Sequence, residues 1–553
     1  MCAPSTVPQT ALKSDLAHSA NARTSRADVD VRSAAGPRRT PGRNEAVESA
    51  TFWAFAAGLA WTPFWYGSND LVAWGINAAL FPGLAAAYEI SILIRGERHA
   101  IGIKNLAVPA ALFAAVVLWI FLQNATWAPA MLTHPIWGVA SDALEKPLQA
   151  SISVNRDLTT LALVKLITAA SVFWIAVQLC RQAARASLLI ESIAAIGCVY
   201  SAYGLAAFAL KAGRVPWFED PATVGVVSST FINRNSFATY AGIGLIAMCG
   251  LALRLYRHDV IAMEGPRRLR IAAFIETTGQ RGAALLAGAF LVLVALLLTG
   301  SRGGVIATAI GLFVFGVLTL GRGTSRAAHL KAVAAGAVLI AAVYLGFGDV
   351  LVGSVAAKGF DDASRLAVYL ITLRSILDAP LAGFGYGTFA DVFPMYRDRS
   401  IGVVGIWEQA HNSYLETFQG LGLLFGSMLV AAVVLLAVSC LKGAIARQEN
   451  STIPRVAASV ACLVGAQALV DFGLQIQAVT LTFMAVLGAG VAQSASSRRT
   501  LEDKRMFRRK PAPDPGSSPG QALIRGGYRF ADKNMRRSMI LEHVPIPKER
   551  DML

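Results

Sequence analysis

The stretch WEQAHNSYLE, residues 407–416, places a histidine between polar residues immediately before a long apolar segment. If Glu408 belongs to the following helix, Glu408, His411 and Leu415 share one helical face, because successive residues of the three are three and four positions apart. Glu408 then accepts one ring N–H of His411, and the other ring nitrogen can take a proton from a hydroxyl group. The alternative is a histidine at a membrane surface that is satisfied by water and lipid headgroups.

Arg234 lies in the stretch FINRNSFATY, just ahead of another apolar segment. Asn235 or Ser236 is predicted to be the N-cap of the helix that follows, which by itself would explain the polar residues. A helix N-terminus also attracts anions, and Arg234 adds a full positive charge beside it. The stretch therefore predicts a phosphate site that includes Arg234 and its neighbours Asn233 and Asn235.

Arg302 lies in the stretch LTGSRGGV, in the middle of an apolar region. Residues 283–320 are too many for one membrane crossing and enough for two, so GSRGG is predicted to be a tight hairpin. The turn and a close backbone approach are permitted by its glycines, Gly300, Gly303 and Gly304. The guanidinium of Arg302, with Ser301 beside it, offers a planar fork that matches phosphate oxygens. The alternative is an arginine that extends from a membrane turn to the headgroups.

The composition indicates what kind of scaffold must position these residues. The chain has 553 residues, 55% hydrophobic and 15% charged, against about 25% charged in soluble domains. Its apolar runs reach about 20 residues, the length needed to cross a bilayer. The net charge of +16 favours basic cytoplasmic loops over nucleic-acid binding, because no DNA- or RNA-binding motif accompanies it. The six cysteines lack the spacing of a metal site or disulfide framework.

The hydropathy pattern predicts an all-α integral membrane protein with about twelve transmembrane helices. The predicted spans are 50–66, 70–94, 106–125, 158–179, 187–210, 236–256, 283–299, 304–320, 332–351, 414–439, 456–472 and 478–494. Alternate connections are compact and basic, which places both termini in the cytoplasm by the positive-inside rule. With this topology Arg234, Arg302 and His411 all lie on connections that face outward.

Three regions are expected along the chain. Residues 1–48 and 497–553 are predicted to be disordered basic cytoplasmic arms, and residues 49–496 form the polytopic membrane domain. The long outward connection 352–413 joins the ninth and tenth spans. Its amphipathic stretch SRLAVYLITLRSILDAP is predicted to lie along the membrane surface, where it could cover a site. The adjacent Asp361 and Asp362 are expected to cap that helix rather than to bind a metal.

Five stretches, taken in order, resemble the successive motifs of bacterial O-antigen ligases and the related O-antigen and exopolysaccharide polymerases. They are FINRNSFA, TGSRGG, GFGYGTF, AHNSYLE and VDFGLQIQ. The resemblance covers roughly residues 190–490, whereas the first 190 residues fit only in the number of spans. It implies a multi-span, GT-C-like glycosyltransferase bundle in the bacterial inner membrane, with its active site facing the periplasm.

The resemblance also implies residues and substrates. By motif the catalytic residues are Arg234, Arg302 and His411. Substrate contacts are expected from Asn233, Asn235, Ser301, Arg365, Glu408, Asn412 and Tyr414. The donor would be a glycan on undecaprenyl pyrophosphate, transferred to a sugar hydroxyl with inversion and without a metal ion or cofactor. Lipid A–core or a growing glycan would be the acceptor, membrane lipids would surround the enzyme, and no nucleic acid would take part.

Three functions stay open on the sequence alone. Ligation of O-antigen to lipid A–core is slightly favoured over polymerisation of lipid-linked units into O-antigen or exopolysaccharide, because the two reactions differ mainly in the acceptor. Transport of polysaccharide or lipid is the third. No repeat between the two halves supports transport. The charged residues within spans, Lys165 and Glu89, are close enough to span ends to reach the headgroups.

Overall fold

This computed structural model describes residues 43–216, 225–257, 267–320, 327, 361–401, 407–447 and 451–508. This part of the chain contains fifteen α-helices and no β-strand. The helices are α1 (Arg43–Trp61), α2 (Leu71–Arg95), α3 (Ala107–Asn124), α4 (Ile136–Ala143), α5 (Arg156–Leu179), α6 (Ala183–Leu210), α7 (Arg234–Tyr256), α8 (Arg267–Thr277), α9 (Ala283–Leu298), α10 (Arg302–Thr319), α11 (Asp361–Asp378), α12 (Phe389–Tyr396), α13 (Ser413–Ala446), α14 (Thr452–Gln467) and α15 (Gln477–Arg508). The prediction of an all-α membrane protein is confirmed.

Eight helices among the described residues are long and apolar enough to cross a membrane. They are α2, α3 with its preceding 3-10 turn, α5, α6, α7, α10, α13 and the first part of α15. Helix α9 is apolar but shorter. These nine helices coincide with predicted spans. Helices α1 and α14 occupy the predicted spans 50–66 and 456–472 without meeting the same criterion, and span 332–351 lies outside the described residues. The number twelve therefore stays a prediction.

Helix α7 lies at the centre of the bundle, where most of its side chains are buried. It packs against α6, α9, α10 and α14. A methyl group added to Gly197 of α6 would lie only 3.3 Å from the Cα of Gly244 of α7. The backbones of the two helices are therefore in contact where they cross, which small residues allow in membranes. Asn77 of α2 donates to Gln477 of α15 at 2.8 Å, and both side chains are buried. Through this bond the first third of the chain is tied to the last helix.

Helix α13 is broken at Gly422, whose φ of 77° interrupts the helical backbone. The carbonyl groups of residues 419–421 lie at this break. They accept hydrogen bonds at 3.0–3.1 Å from the backbone N–H groups of Phe384 and Gly385 and from the indole N–H of Trp119. Interrupted backbone at membrane depth is tolerated where the surrounding protein satisfies it. The GFGYGTF loop, residues 383–389, therefore stabilises the break and gives the first two turns of α13 their own direction.

The long connection 352–413 contains a helix where the amphipathic stretch predicts one. In α11 the side chains of Val368 and Ile371 are buried, whereas a row of leucines is exposed on another face: Leu366, Leu370, Leu373 and Leu377. Its position along a membrane surface stays a prediction.

The predicted disordered arms are partly helical, since α1 begins at Arg43 and α15 ends at Arg508. An ion pair between Glu48 and Arg185 of α6 holds the start of α1. The chain divides into two units after Ser497. The bundle and the candidate site belong to the first unit.

Candidate active site

His411 lies on a turn directly before α13. Helix α13 begins at Ser413, and the side chain of Asn412 caps it by accepting the N–H groups of residues 414 and 415 at 3.0 Å. The φ of His411 is 53°, in the left-handed region that residues other than glycine seldom adopt. The hydroxyl of Tyr369 in α11 donates to the His411 carbonyl at 2.9 Å and holds this turn in place.

The imidazole of His411 is oriented by Asp471. Its Nδ1 lies 3.2 Å from Oδ1 of Asp471, a carboxylate whose side chain is 1% exposed. The ring also packs edge-to-face on Phe472, with centroids 4.8 Å apart. The other carboxylate oxygen of Asp471 is buried and has no hydrogen-bond partner among the described residues. The imidazole is 21% exposed, so the ring is held by a buried acid and still reaches the surface.

The prediction that Glu408 orients His411 is wrong. Glu408 is exposed and precedes α13, and the capping Asn412 keeps residues 408–411 outside the helix. The expected shared helical face therefore does not form. Asp471, from the connection between α14 and α15, takes the orienting role instead. A part for Glu408 in substrate binding stays a prediction.

The turn that carries His411 is joined to the end of α14 and the connection after it. The side-chain amide of Asn412 donates to the carbonyl of Leu469 at 2.9 Å, and the hydroxyl of Tyr414 donates to that of Gly465 at 3.1 Å. Between them, the backbone N–H of Ser413 donates to the carbonyl of residue 468 at 2.9 Å. The side chains of Asn412 and Tyr414 thus have hydrogen-bond partners within the protein. Their contacts with substrate stay a prediction.

Arg302 is the first residue of α10. Ser301 is the N-cap, and its hydroxyl accepts the N–H of Gly304 at 3.1 Å. Of the three glycines expected to permit the turn and a close backbone approach, only Gly300 has a positive φ, at 60°, because Gly303 and Gly304 already belong to the helix. Within the described residues the partly exposed guanidinium of Arg302 has no hydrogen-bond or ion-pair partner.

Arg234 occupies the equivalent position at the start of α7. The N-cap is Asn233, whose side chain accepts the N–H of Asn235 at 2.7 Å, so the prediction that Asn235 or Ser236 caps the helix is wrong. The capping side chain sits one residue ahead of Arg234, which puts Arg234 itself in the first turn. In the part of the chain that the structure describes, Arg234 is partly exposed and lacks an acidic partner. The hydroxyl of Ser236 is buried without a hydrogen-bond partner there.

The starts of α7, α10 and α13 meet around residues 467–475. A methyl group on Gly304 would overlap Ala238 of α7, and one on Gly303 would lie 3.2 Å from the side chain of Gln467. Four residues after Gln467 comes Asp471, which contacts His411. The backbones that bear Arg234, Arg302 and His411 are thus brought together at one end of the bundle.

Arg365 lies on α11, one helical turn before Tyr369. Residues four apart share a face of a helix, and the Tyr369 hydroxyl reaches the turn that carries His411. Arg365 is therefore on the side of α11 that faces the candidate site.

The charge of this region is suited to an anion. Two arginines stand at helix N-termini, whose free N–H groups and dipoles add further positive potential. The buried carboxylate of Asp471 is engaged with His411. Among the described residues no group of three or more His, Cys, Asp and Glu side chains could hold a metal ion.

Fold and site together define a multi-span helical membrane protein with a basic, histidine-containing site at one end of the bundle. Residues 287–431 match the family model described as O-antigen ligase. The match runs from α9 into α13 and includes Arg302, Arg365 and His411. Arg234 and Asp471 lie outside it. No curated protein matches the chain.

Asp471 is the residue of this site that motif-by-motif reasoning on the sequence missed. It lies in VDFGLQIQ, so a signal was present: a lone carboxylate in a long apolar run is costly unless it has a partner. The sequence could not name His411 as that partner, because the two residues are 60 positions apart.

Proposed function

We propose that this protein transfers a glycan from undecaprenyl pyrophosphate to a sugar hydroxyl at the periplasmic face of the inner membrane. We favour the ligase reaction, in which the acceptor is lipid A–core. The family match supports the ligase and polymerase class. The observation that carries the proposal is the meeting of an aspartate-oriented histidine with two helix starts that each bear an arginine.

His411 acts as the general base in this proposal. With its Nδ1–H donated to Asp471, the Nε2 atom is the nitrogen that can accept a proton. It takes the proton of the acceptor hydroxyl as that oxygen forms a bond to the anomeric carbon of the donor sugar. The buried carboxylate then stabilises the imidazolium that results.

The arginines act on the leaving group. As the anomeric carbon bonds to the acceptor oxygen, its bond to the pyrophosphate oxygen breaks and the electron pair stays on the pyrophosphate. Arg234 and Arg302 meet this charge with planar forks that match phosphate oxygens. One preorganised donor is typically worth about 2.7–4 kcal/mol, part of which is ground-state binding because the diphosphate is charged beforehand. A single displacement of this kind inverts the anomeric centre.

The test is a gene deletion complemented by variants, with surface glycans and carrier lipid analysed. For a ligase we expect bare lipid A–core together with long polymer stranded on undecaprenyl pyrophosphate. The wild-type gene should restore lipid A–core that carries O-antigen, whereas His411→Ala and Arg302→Lys should not. The first variant removes the base, and the second replaces a planar guanidinium group by the point charge of an ammonium group. Arg374→Lys is the matched control, since Arg374 is an exposed residue of α11 paired with Asp398.

The other outcomes separate the alternatives. Core that carries single repeat units identifies an O-antigen polymerase, and unchanged lipopolysaccharide with missing exopolysaccharide identifies a polymerase of secreted glycan. Full restoration by both His411→Ala and Arg302→Lys would reject glycosyl transfer at this site and favour transport.

A further inference from the structure

Glu416 connects the two segments that hold His411 and Asp471. It lies in the first turn of α13, and its Oε1 accepts the backbone N–H of Ala410 at 2.6 Å. Its Oε2 accepts the side-chain amide of Gln475 at 2.8 Å. Ala410 is the fully buried residue directly before His411, and Gln475 ends the 3-10 turn that follows Asp471. One carboxylate therefore holds both sides of the histidine–aspartate pair.

Gln475 extends this connection back to the helix start. Its Oε1 accepts the hydroxyl of Ser413 at 2.9 Å, and that hydroxyl also lies 3.2 Å from the carbonyl oxygen of Asp471. The bonds from Ala410 through Glu416, Gln475 and Ser413 thus lead to the backbone of Asp471.

The histidine–aspartate contact needs such support. His411 has a left-handed backbone, which a residue other than glycine keeps only where its surroundings enforce it. Its contact with Asp471 is 3.2 Å, at the long end of hydrogen-bond distances, so a small shift of either segment would break it. Without Glu416 the N–H of Ala410 would also be buried without a partner, which is costly.

We propose that Glu416 is a positioning residue for glycosyl transfer. Through Ala410 and Gln475 it keeps the imidazole of His411 within reach of Asp471, which keeps Nε2 free for the acceptor hydroxyl. Glu416 acts through His411 and does not itself touch substrate. The inference rests on the proposed function, because it assigns Glu416 a part in the work of that base.

The test exchanges the two side chains. In Glu416→Gln the amide can still accept from Ala410, but its NH2 group faces the NH2 group of Gln475. Either two donors meet, or the Gln475 amide turns over and its hydrogen bond with Ser413 is reversed. In Gln475→Glu two carboxylates meet. In the double variant Glu416→Gln/Gln475→Glu, the new amide donates to the new carboxylate, so the number of hydrogen bonds and the net charge are those of wild type.

The assay uses full-length protein in nanodiscs, with undecaprenyl-pyrophosphate-linked glycan as donor and lipid A–core as acceptor. Its readouts are kcat and donor KM. Each single variant should lose about 10- to 100-fold in kcat, the range seen when a partner that orients a metal-bound histidine is removed. Donor KM should stay near wild type, because the arginines bind the diphosphate. The double variant should recover most of kcat.

A double variant that folds but is no faster than the single variants would overturn the proposal, as would wild-type kcat in Glu416→Gln. If Glu416→Gln does not fold, the double variant decides alone. If Glu416 served stability only, the variants would give less folded protein, while kcat per folded molecule and its dependence on pH would be unchanged. Wild-type turnover in His411→Ala instead rejects the proposed base, whatever the exchange shows.

Discussion

At the scale of single residues, the site combines a histidine of fixed orientation with two arginines that have no acidic partner among the described residues. Asp471 is almost completely buried and points one of its oxygens at Nδ1 of His411. A buried carboxylate is expensive unless it is hydrogen-bonded or paired, so the contact stabilises the acid as well as the ring. Among the described residues Arg234 and Arg302 have no acidic partner.

The orienting role of Asp471 can be measured with Asp471→Asn. The amide keeps the shape of the side chain but cannot stabilise the imidazolium that forms as His411 takes a proton. We expect kcat to fall by about 10²- to 10⁴-fold, the contribution of general acid–base catalysis, with little change in donor KM. Steady-state kinetics on the purified protein provide the measurement.

Asp398→Asn is the matched control for this variant. Asp398 belongs to an exposed pair with Arg374, and such pairs contribute little. Equal kcat in Asp471→Asn and wild type would exclude the orienting role.

At the scale of elements, helix starts do most of the positioning. The first turns of α7 and α10 are in van der Waals contact because Gly304 has no side chain opposite Ala238. The start of α13 is joined to the α14–α15 connection by the bonds of residues 411–416. The break at Gly422 separates the first two turns of α13, which begin at Ser413, from the long apolar part of the helix. The site is thus carried by short, well-anchored helix ends, and the spans supply a rigid base.

Helix α11 is expected to insert its row of leucines into the outer leaflet. Leu366 and Leu370 are 60% and 52% exposed, and the same face continues through Leu373 and Leu377. Burial of four leucines in lipid would be favourable by about 1.5–3 kcal/mol each when complete. A fluorophore on a cysteine at position 370, in a cysteine-free background in vesicles, should be quenched by lipids that carry quenchers in their acyl chains.

The control position for this measurement is Arg399, an exposed residue of the same connection. A label there should be quenched only by a reagent dissolved in water. Equal quenching by that reagent at both positions would show that α11 does not enter the bilayer.

At the scale of the whole molecule, residues far from the motifs hold the motifs in place. Gln123 of α3 donates to the carbonyls of Ala382 and Gly420 at 2.8 and 2.7 Å, which anchors the GFGYGTF loop and the break in α13. Asn77 of α2 contacts Gln477 at the start of α15. The first 190 residues, which match the family resemblance only in span count, are therefore part of the support for the site.

The orientation of the whole molecule is testable with reporters. The basic connections predict that both termini face the cytoplasm and that the connection carrying His411 faces the periplasm. A fluorescent protein fused at either terminus should be bright. Alkaline phosphatase inserted after Arg399 should be active, because the enzyme needs the oxidising periplasm to form its disulfides. An inactive phosphatase there, together with an active one at the C-terminus, would reverse the orientation.

The sequence by itself determined the all-α membrane class, the positions of nine apolar helices and the motifs that contain Arg234, Arg302 and His411. It could do so because apolar runs of membrane length are a local signal and each motif is contiguous. It failed in detail where a single residue decides, as when it chose Asn235 or Ser236 over Asn233 as the cap of α7.

Only the tertiary structure decided which residues meet. The partner of His411 proved to be Asp471 in place of the nearby Glu408, because the cap at Asn412 keeps residues 408–411 out of the helix and α14 brings the later aspartate back to them. Glu416 and Gln475 likewise become a pair only when α13 and the α14–α15 connection are packed together. Contacts between distant segments depend on helix packing and on where each helix begins, and neither is written in local periodicity.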